Sequence, residues 1–161
     1  HGEFADFEPC GFGAKPLQQP HPPIYFSGLK DARRSALRIS KYGLGGWIGI
    51  QDTPKELQRW RSAIAQELNE LESPRSMDDV DVCSMIWFVI TDEKSDQSPN
   101  GKLTNLLVGT AEQITDNLKR YKEAGLDMPL LWPPFADVPV SKTLDDLKRL
   151  KEEIMPKVEA I

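Results

Sequence analysis

The stretch Ile24-Tyr25-Phe26-Ser27-Gly28-Leu29-Lys30-Asp31 decides how the chain is read. Its first three residues are apolar and β-prone, and Ser27-Gly28 breaks the run, as at the end of a short buried strand. From Lys30 to Tyr42 the apolar positions Ala32, Ala36, Leu37 and Ile39 fall at helical spacing. Gly43 is placed to cap the carboxyl end. A strand that turns through glycine directly into a helix is one β/α unit.

The same pattern recurs downstream. Gly46-Trp47-Ile48-Gly49-Ile50 is strand-like. Thr53 then stands as an N-cap, with Pro54 at the first helical position and Glu56 three residues after the cap. This helix runs to about Leu71, with Leu57, Trp60, Ile64, Leu68 and Leu71 on one face. The third unit has a longer strand, Val80 to Ile90, and a polar loop, Thr91 to Lys102. Within that loop, Ser95-Asp96-Gln97-Ser98-Pro99-Asn100-Gly101 has the composition of a disordered segment. Leu106-Leu107-Val108-Gly109 leads into a helix capped by Thr110 and Gln113, with Ile114, Leu118 and Tyr121 as its buried stripe and Gly125 at its end. The fourth unit is a strand from Met128 to Trp132, stopped by Pro133-Pro134, followed by a helix from Ser141 to Met155. Leu144, Leu147, Leu150 and Ile154 are its expected buried positions, and Pro156 its expected stop. Upstream, residues 1–23 are too rich in glycine and proline for helix or central strand, so the folded domain is expected over residues 24–161.

Alternating strands and helices imply parallel strands joined by right-handed crossovers. Two architectures satisfy this: a small doubly wound sheet, or half of an eight-stranded β/α barrel. A complete barrel needs roughly 250 residues, and the chain has 161.

Composition narrows the partners. Hydrophobic residues make up 39% and charged residues 28%, ordinary for a soluble domain. No apolar run approaches the roughly 18 residues of a membrane helix. The net charge of −5 is spread among interleaved acids and bases, which argues against nucleic acid as a partner. Cys10 and Cys83 fit no metal or redox spacing and read as reduced thiols. No leader peptide opens the chain, and the expected compartment is the cytoplasm. Because the first residue is His1 and not methionine, the start reads as a processed, truncated or cloned end.

Residue detail favours the barrel. Lys15-Pro16-Leu17-Gln18-Gln19-Pro20-His21-Pro22-Pro23-Ile24 resembles the proline- and glutamine-containing segment that precedes the fifth strand of luciferase-like monooxygenases. Gly2-Glu3-Phe4 and Asp6-Phe7 resemble the stretch before it. Gly43 to Trp47 is similar to that family's Gly-x-Gly-Trp strand, and Gly109-Thr110-Ala111-Glu112-Gln113-Ile114 to its Gly-Thr-Pro-Glu-Gln-Val helix start, with Ala111 where proline is usual. Tyr121 to Asp127 is similar to Tyr-x-Glu-Ala-Gly-Val-Asp, and Glu153-Ile154-Met155-Pro156 to the closing Glu-Val-Leu-Pro. The fragments keep the family's order along nearly the whole chain. The resemblance implies an α/β fold of four β/α units, the second half of a TIM-type (β/α)8 barrel. It also implies an oxidoreductase or monooxygenase using flavin mononucleotide (FMN) or the deazaflavin F420 on a small organic substrate.

Within that expectation, Ser27, Gly28, Leu29 and Lys30 form the cofactor-phosphate turn. They join the carboxyl end of a strand to a helix start, where free amides attract phosphate and glycine admits close approach. The family's matching turn reads roughly Gly-Gly-x-Ser, and at its serine position this chain has Lys30, which offers charge in place of a hydroxyl. Arg33 and Arg34 lie near enough to reach an anion there, although with Arg38 they also read as a solvated helix face. Trp47 and Trp132 stand near strand ends, where each could wall a cofactor ring or simply pack; Trp60 and Trp87 read as packing residues. His21 reads as a loop residue, and Asp78, Asp79 and Asp81 as a solvated turn without metal. No nucleophile–base pair is recognisable, so redox chemistry would belong to the cofactor. Two rival classes stay open: a dimerising half-barrel without cofactor, and a compact phosphate-binding module.

Half a barrel would expose its inner face and both sheet edges. Ile24, Phe26, Ile48, Ile50, Ile86, Phe88, Leu130 and Trp132 are expected on that face or on the helix-facing one, so a homo-oligomer, at least a dimer, is expected.

Overall fold

The computed structural model describes residues 2–8, 11, 13–19, 21–27, 31–50, 52–95, 106–133 and 138–159. The first strand, β1 (Tyr25–Ser27), is followed by α1 (Ala32–Tyr42). The helix starts at Ala32 and not at Lys30, because Asp31 keeps an extended backbone and its side chain accepts the Arg34 N–H at 2.9 Å. Gly43 ends it in the left-handed region at φ 59°, donating to the Ile39 carbonyl, as its sequence position suggests.

Next come β2 (Gly46–Ile50) and α2 (Pro54–Glu70). Thr53 and Glu56 close a reciprocal capping box at the start of α2. A single 3-10 turn at Met77–Asp79 leads into the longest strand, β3 (Asp81–Ile90). Leu106–Gly109, read from sequence only as the approach to a helix, forms a further strand, β4. Its existence follows from the length of β3. Pairing with β2 ends at Met85 and pairing on the opposite run ends at Trp87, so the backbone of Trp87–Ile90 needs another partner, and β4 supplies it. The helix α3 (Ala111–Glu123) opens on a second capping box, Thr110 with Gln113. It is followed by β5 (Met128–Trp132).

All strand pairs are parallel. The order is β1-β2-β3, with β4 and β5 both on β3. Parallel strands and intervening helices give the α/β fold expected from the alternation. The polar stretch read as disordered lies outside the described residues from position 96 onward.

Side chains alternate across the sheet. Val82, Ile86, Phe88 and Ile90 point to the face covered by helices and are fully buried or nearly so, with Trp47 beside them. Ile39 from α1, Leu57, Ile64 and Leu68 from α2, and Ile114, Leu118 and Tyr121 from α3 complete this core. The opposite face carries the register-paired sets Ile48–Cys83–Met128, Ile50–Met85–Leu130 and Trp87–Trp132. Apart from Cys83, these side chains stay partly or largely exposed, Ile50 at 40% and Trp132 at 41%. The apolar residues expected on one face or the other therefore divide: Phe26, Ile86 and Phe88 join the helices, Ile48, Ile50, Leu130 and Trp132 stand on the face that no described helix covers, and Ile24, just before β1, is 46% exposed.

The last helix differs most from its sequence reading. It begins as α4 (Val140–Arg149), widens to a π-helical turn at Leu150–Ile154 and continues as α5 (Met155–Glu159). Pro156 thus lies inside the helix and does not stop it. The Met155 N–H reaches back five residues to the Leu150 carbonyl, and this wider turn accommodates a ring that would clash with an ordinary helical carbonyl. Leu150 and Ile154 pack against the core, but Leu147 is exposed and Leu144 is 62% exposed. The residue α4 buries is Asp146.

Candidate functional site

In β/α architectures, ligands gather at the carboxyl ends of parallel strands, where helix amino termini converge. Here that end holds Ser27 of β1, Ile50 of β2, Ile90 of β3, Gly109 of β4 and Trp132 of β5. Ser27 is half-buried, and its hydroxyl oxygen is enclosed with no hydrogen-bond partner among the described residues. An enclosed hydroxyl without a partner costs free energy unless something else bonds it. Gly28, Leu29 and Lys30 lie outside the described residues. Asp31, immediately after them, fixes the start of α1.

The neighbouring arginines are already engaged. Arg33 pairs with Glu67 of α2 at 2.9 Å, Arg34 lies 3.7 Å from Asp31, and Arg38 stacks 5.6 Å from the centre of the Phe26 ring. Trp47 is placed in the helix-facing core at 2% exposure, with its indole N–H unpartnered among the described residues, and does not reach the opposite face of the sheet. Trp132 does stand on that face. It meets Trp87 edge to face at 5.8 Å between ring centres, so Trp87 belongs to this aromatic pair and not to the helix-facing core. Asp78 bonds Arg61, and Asp79 caps its own turn. Asp81 accepts from the Tyr25 hydroxyl, which raises the phenol's pKa. These lie at the amino end of β3, opposite the ligand side.

A second cluster escaped the sequence reading. The Lys142 ammonium donates to the Ile90 carbonyl at 2.7 Å and pairs with the buried Asp146 carboxylate. Nearby Arg149 bonds Asp92 at 3.0 Å and Glu153 at 2.8 Å. Glu153, then Asp92, hold the guanidinium more firmly protonated than usual. Lys142, Arg149, Asp92 and Glu153 border an open cavity of about 650 Å³ at the end of β3. The spacing Lys142–Asp146 and Arg149–Glu153, four residues each, was the available signal.

Cys83 is almost wholly enclosed. Burial, reinforced by Asp81 and Asp127, pushes its thiol up from 9.0 to about 11. Tyr121 is raised in the same direction, mainly by burial; its hydroxyl donates to the Asp52 carbonyl at 2.9 Å. The unfolded chain releases these protons first, so their linkage lowers stability as pH rises. We predict a urea midpoint that is level below pH 9 and falls as pH rises through about 11. In a Cys10→Ser variant, Cys83 should react with a disulfide reagent at pH 8 only on unfolding. Prompt labelling of the folded protein would show that this thiol is accessible.

No protein-family model and no curated protein matches the sequence. Solved structures do match. An F420-dependent secondary alcohol dehydrogenase, bound to an F420–acetone adduct, superposes with a TM-score of 0.62 at 17% identity, over 84% of this chain and 48% of that one. A monooxygenase from Streptomyces bottropensis gives a TM-score of 0.67 at 14% identity, over 97% and 54%. A riboflavin lyase holding modified FMN and riboflavin gives 0.61 at 13%, over 87% and 43%. The chain therefore has the β/α half-barrel fold that its sequence implied, and it spans about half the length of each of these structures.

Proposed function

We propose that the chain is the cofactor-phosphate half of a luciferase-like oxidoreductase, a monooxygenase or reductase that uses FMN or F420 on a small organic substrate and works as a homo-oligomer in the cytoplasm. The observation that carries this reading is the Ser27 hydroxyl at the carboxyl end of β1, enclosed and without a hydrogen-bond partner among the described residues. It stands where the strand enters the turn before a capped helix, the position at which β/α folds hold phosphate. The fold likeness to F420- and FMN-associated enzymes and the ordered sequence resemblance support the same cofactor class. Among the described residues, no helix is long and apolar enough to cross a membrane.

In this reading Ser27 donates to a phosphate oxygen, the amides of Gly28 and Leu29 face it, and Lys30 supplies positive charge. Trp132 offers an apolar wall at the same end of the sheet. Trp47, in the core behind the sheet, would support the strand that bears the site. When bound, the isoalloxazine or deazaflavin ring supplies the redox chemistry, and the protein binds and orients it.

Comparing FMN with riboflavin isolates the phosphate contribution. A charge-assisted hydrogen bond is worth about 1.5–3 kcal/mol, so FMN should bind at least about tenfold more tightly than riboflavin. Ser27→Ala with Lys30→Ala should erase most of that preference. Equal affinity for FMN and riboflavin in the parent protein would remove the phosphate turn. No binding of FMN, riboflavin or F420 by fluorescence titration would favour a half-barrel without cofactor.

A further inference from the structure

The layer between sheet and helices is not filled everywhere. A cavity of about 460 Å³ lies between β5, α3 and the last helix. On the strand side it is lined by Pro129 and Leu131, which alternate with Met128, Leu130 and Trp132 and so face the helices. Leu118 of α3, Leu126 and Ile154 are its buried lining. Leu150 and Ile154, the two ends of the π-helical turn, stand on the helix side. Lys122, Asp127 and Met155 also line it and are exposed, so they mark its mouth. Every lining residue falls between positions 118 and 158, and the walls require no segment beyond the ends of the chain.

Two observations point to a ligand. The first is size. Protein interiors hold few voids larger than a water molecule, whereas small-molecule sites occupy roughly 300–1,000 Å³ and are lined mainly by apolar side chains. The second is the chemistry of the mouth. Among the described lining residues only Lys122 and Asp127 are charged. The Lys122 ammonium has no ion-pair partner among the described residues. Asp127 accepts the Val82 N–H on Oδ2 at 2.8 Å, which leaves Oδ1 for another donor. A carboxylate head at this mouth would face Asp127, and an ammonium head would face Lys122, each against like charge. A hydroxyl head meets neither conflict. It can accept from Lys122 Nζ and donate to Asp127 Oδ1 at once.

We infer that this pocket binds an alkyl alcohol of medium chain length, its chain among the leucines and its hydroxyl between Lys122 and Asp127. The site lies toward the amino end of β5, whereas Ser27 stands at the carboxyl end of β1. It does not rest on the cofactor reading.

The methionines provide the test. The chain has four, Met77, Met85, Met128 and Met155, and among them Met155 alone lines the pocket. Met85 and Met128 stand on the opposite face of the sheet. With the methionine methyl groups labelled with carbon-13 and assigned by leucine substitution, titration with 1-octanol should shift the Met155 signal saturably and leave the other three in place. No shift, a drift that does not saturate, or a shift at Met85 or Met128 would overturn the proposal. Octanol buries two more methylenes than hexanol, so it should bind on the order of tenfold more tightly; equal affinities would mean that the chain is not enclosed. Octanoate and octylammonium should each bind about tenfold more weakly than octanol, given like charge at the mouth. Asp127→Asn keeps an oxygen for the Val82 N–H and should restore octanoate, while Lys122→Gln should restore octylammonium. A head-group order that neither change alters would refute the placement of the hydroxyl. Val158→Trp fills the pocket from a partly exposed helix position and should weaken octanol at least about tenfold. Undiminished binding by that variant would place the ligand elsewhere. Where Val158→Trp fails to fold, the exposed positions Lys122 and Asp127 decide the question.

Discussion

Replacing Phe88 with alanine is expected to cost about 3–5 kcal/mol of folding stability, the range for deleting a fully buried phenylalanine. Phe88 has no solvent exposure and lies in β3, the strand on which β2, β4 and β5 all pair. It is paired in register with Leu107 of β4 and belongs to the core between sheet and helices. The truncated site has little freedom to collapse, because β4 holds the backbone in register and the surrounding core side chains are themselves buried. Against a typical total of about 5–15 kcal/mol, such a loss approaches global unfolding. The neighbouring Ile86→Val should cost about 0.5–1.5 kcal/mol, since it removes one methyl group from the same core. Urea denaturation at one fixed protein concentration measures both, provided the slope is unchanged. A Phe88→Ala midpoint within about 1 kcal/mol of the parent would mean that β3 is not the centre of the fold.

That the centre lies at β3 was largely legible from sequence, for a physical reason. Val80 to Ile90 is a nearly continuous apolar run, and parallel strands in the middle of a sheet need both faces apolar. The helix starts were equally legible, because a capping box is a purely local device: Thr53 with Glu56 and Thr110 with Gln113 form whatever the rest of the chain does. Features that depend on distant partners were not. Leu106–Gly109 becomes a strand only because β3 overruns its neighbours, which no local pattern announces. Leu144 and Leu147 have core-like spacing, yet they stand exposed, with nothing among the described residues covering them. Pro156 looks like a stop until the π-turn before it is seen. At the candidate site, the turn after β1 was found from its glycine and its place between strand and helix. The enclosure of the Ser27 hydroxyl needed coordinates. Trp47 and Trp132 had equal standing in the sequence, because strand parity relative to the helices cannot be fixed until the helices are placed.

The buried Asp146 carries the other large effect. Its side chain is 1% exposed and paired with Lys142, whose ammonium also bonds the Ile90 carbonyl at the end of β3. A lone buried carboxylate is far from its hydrated state, and Lys142 compensates for that while tying α4 to the sheet. Lys142→Met keeps most of the aliphatic stem but removes the charge and both hydrogen bonds. The expected cost is about 3 kcal/mol, at the lower end for a broken buried pair, because the Lys142 side chain is itself 37% exposed. Removing both charges should be milder. In Lys142→Met with Asp146→Leu no unpaired charge remains, and well-packed apolar replacements of buried pairs are often neutral. The double variant should therefore recover most of the loss, and the non-additivity between singles and double measures the coupling. An ordinary surface pair would give about 0.2–1 kcal/mol for the single change and no recovery. That result would mean that α4 is held by Leu150 and Ile154 alone and that the Lys142–Asp146 pair does not anchor it to the strand end.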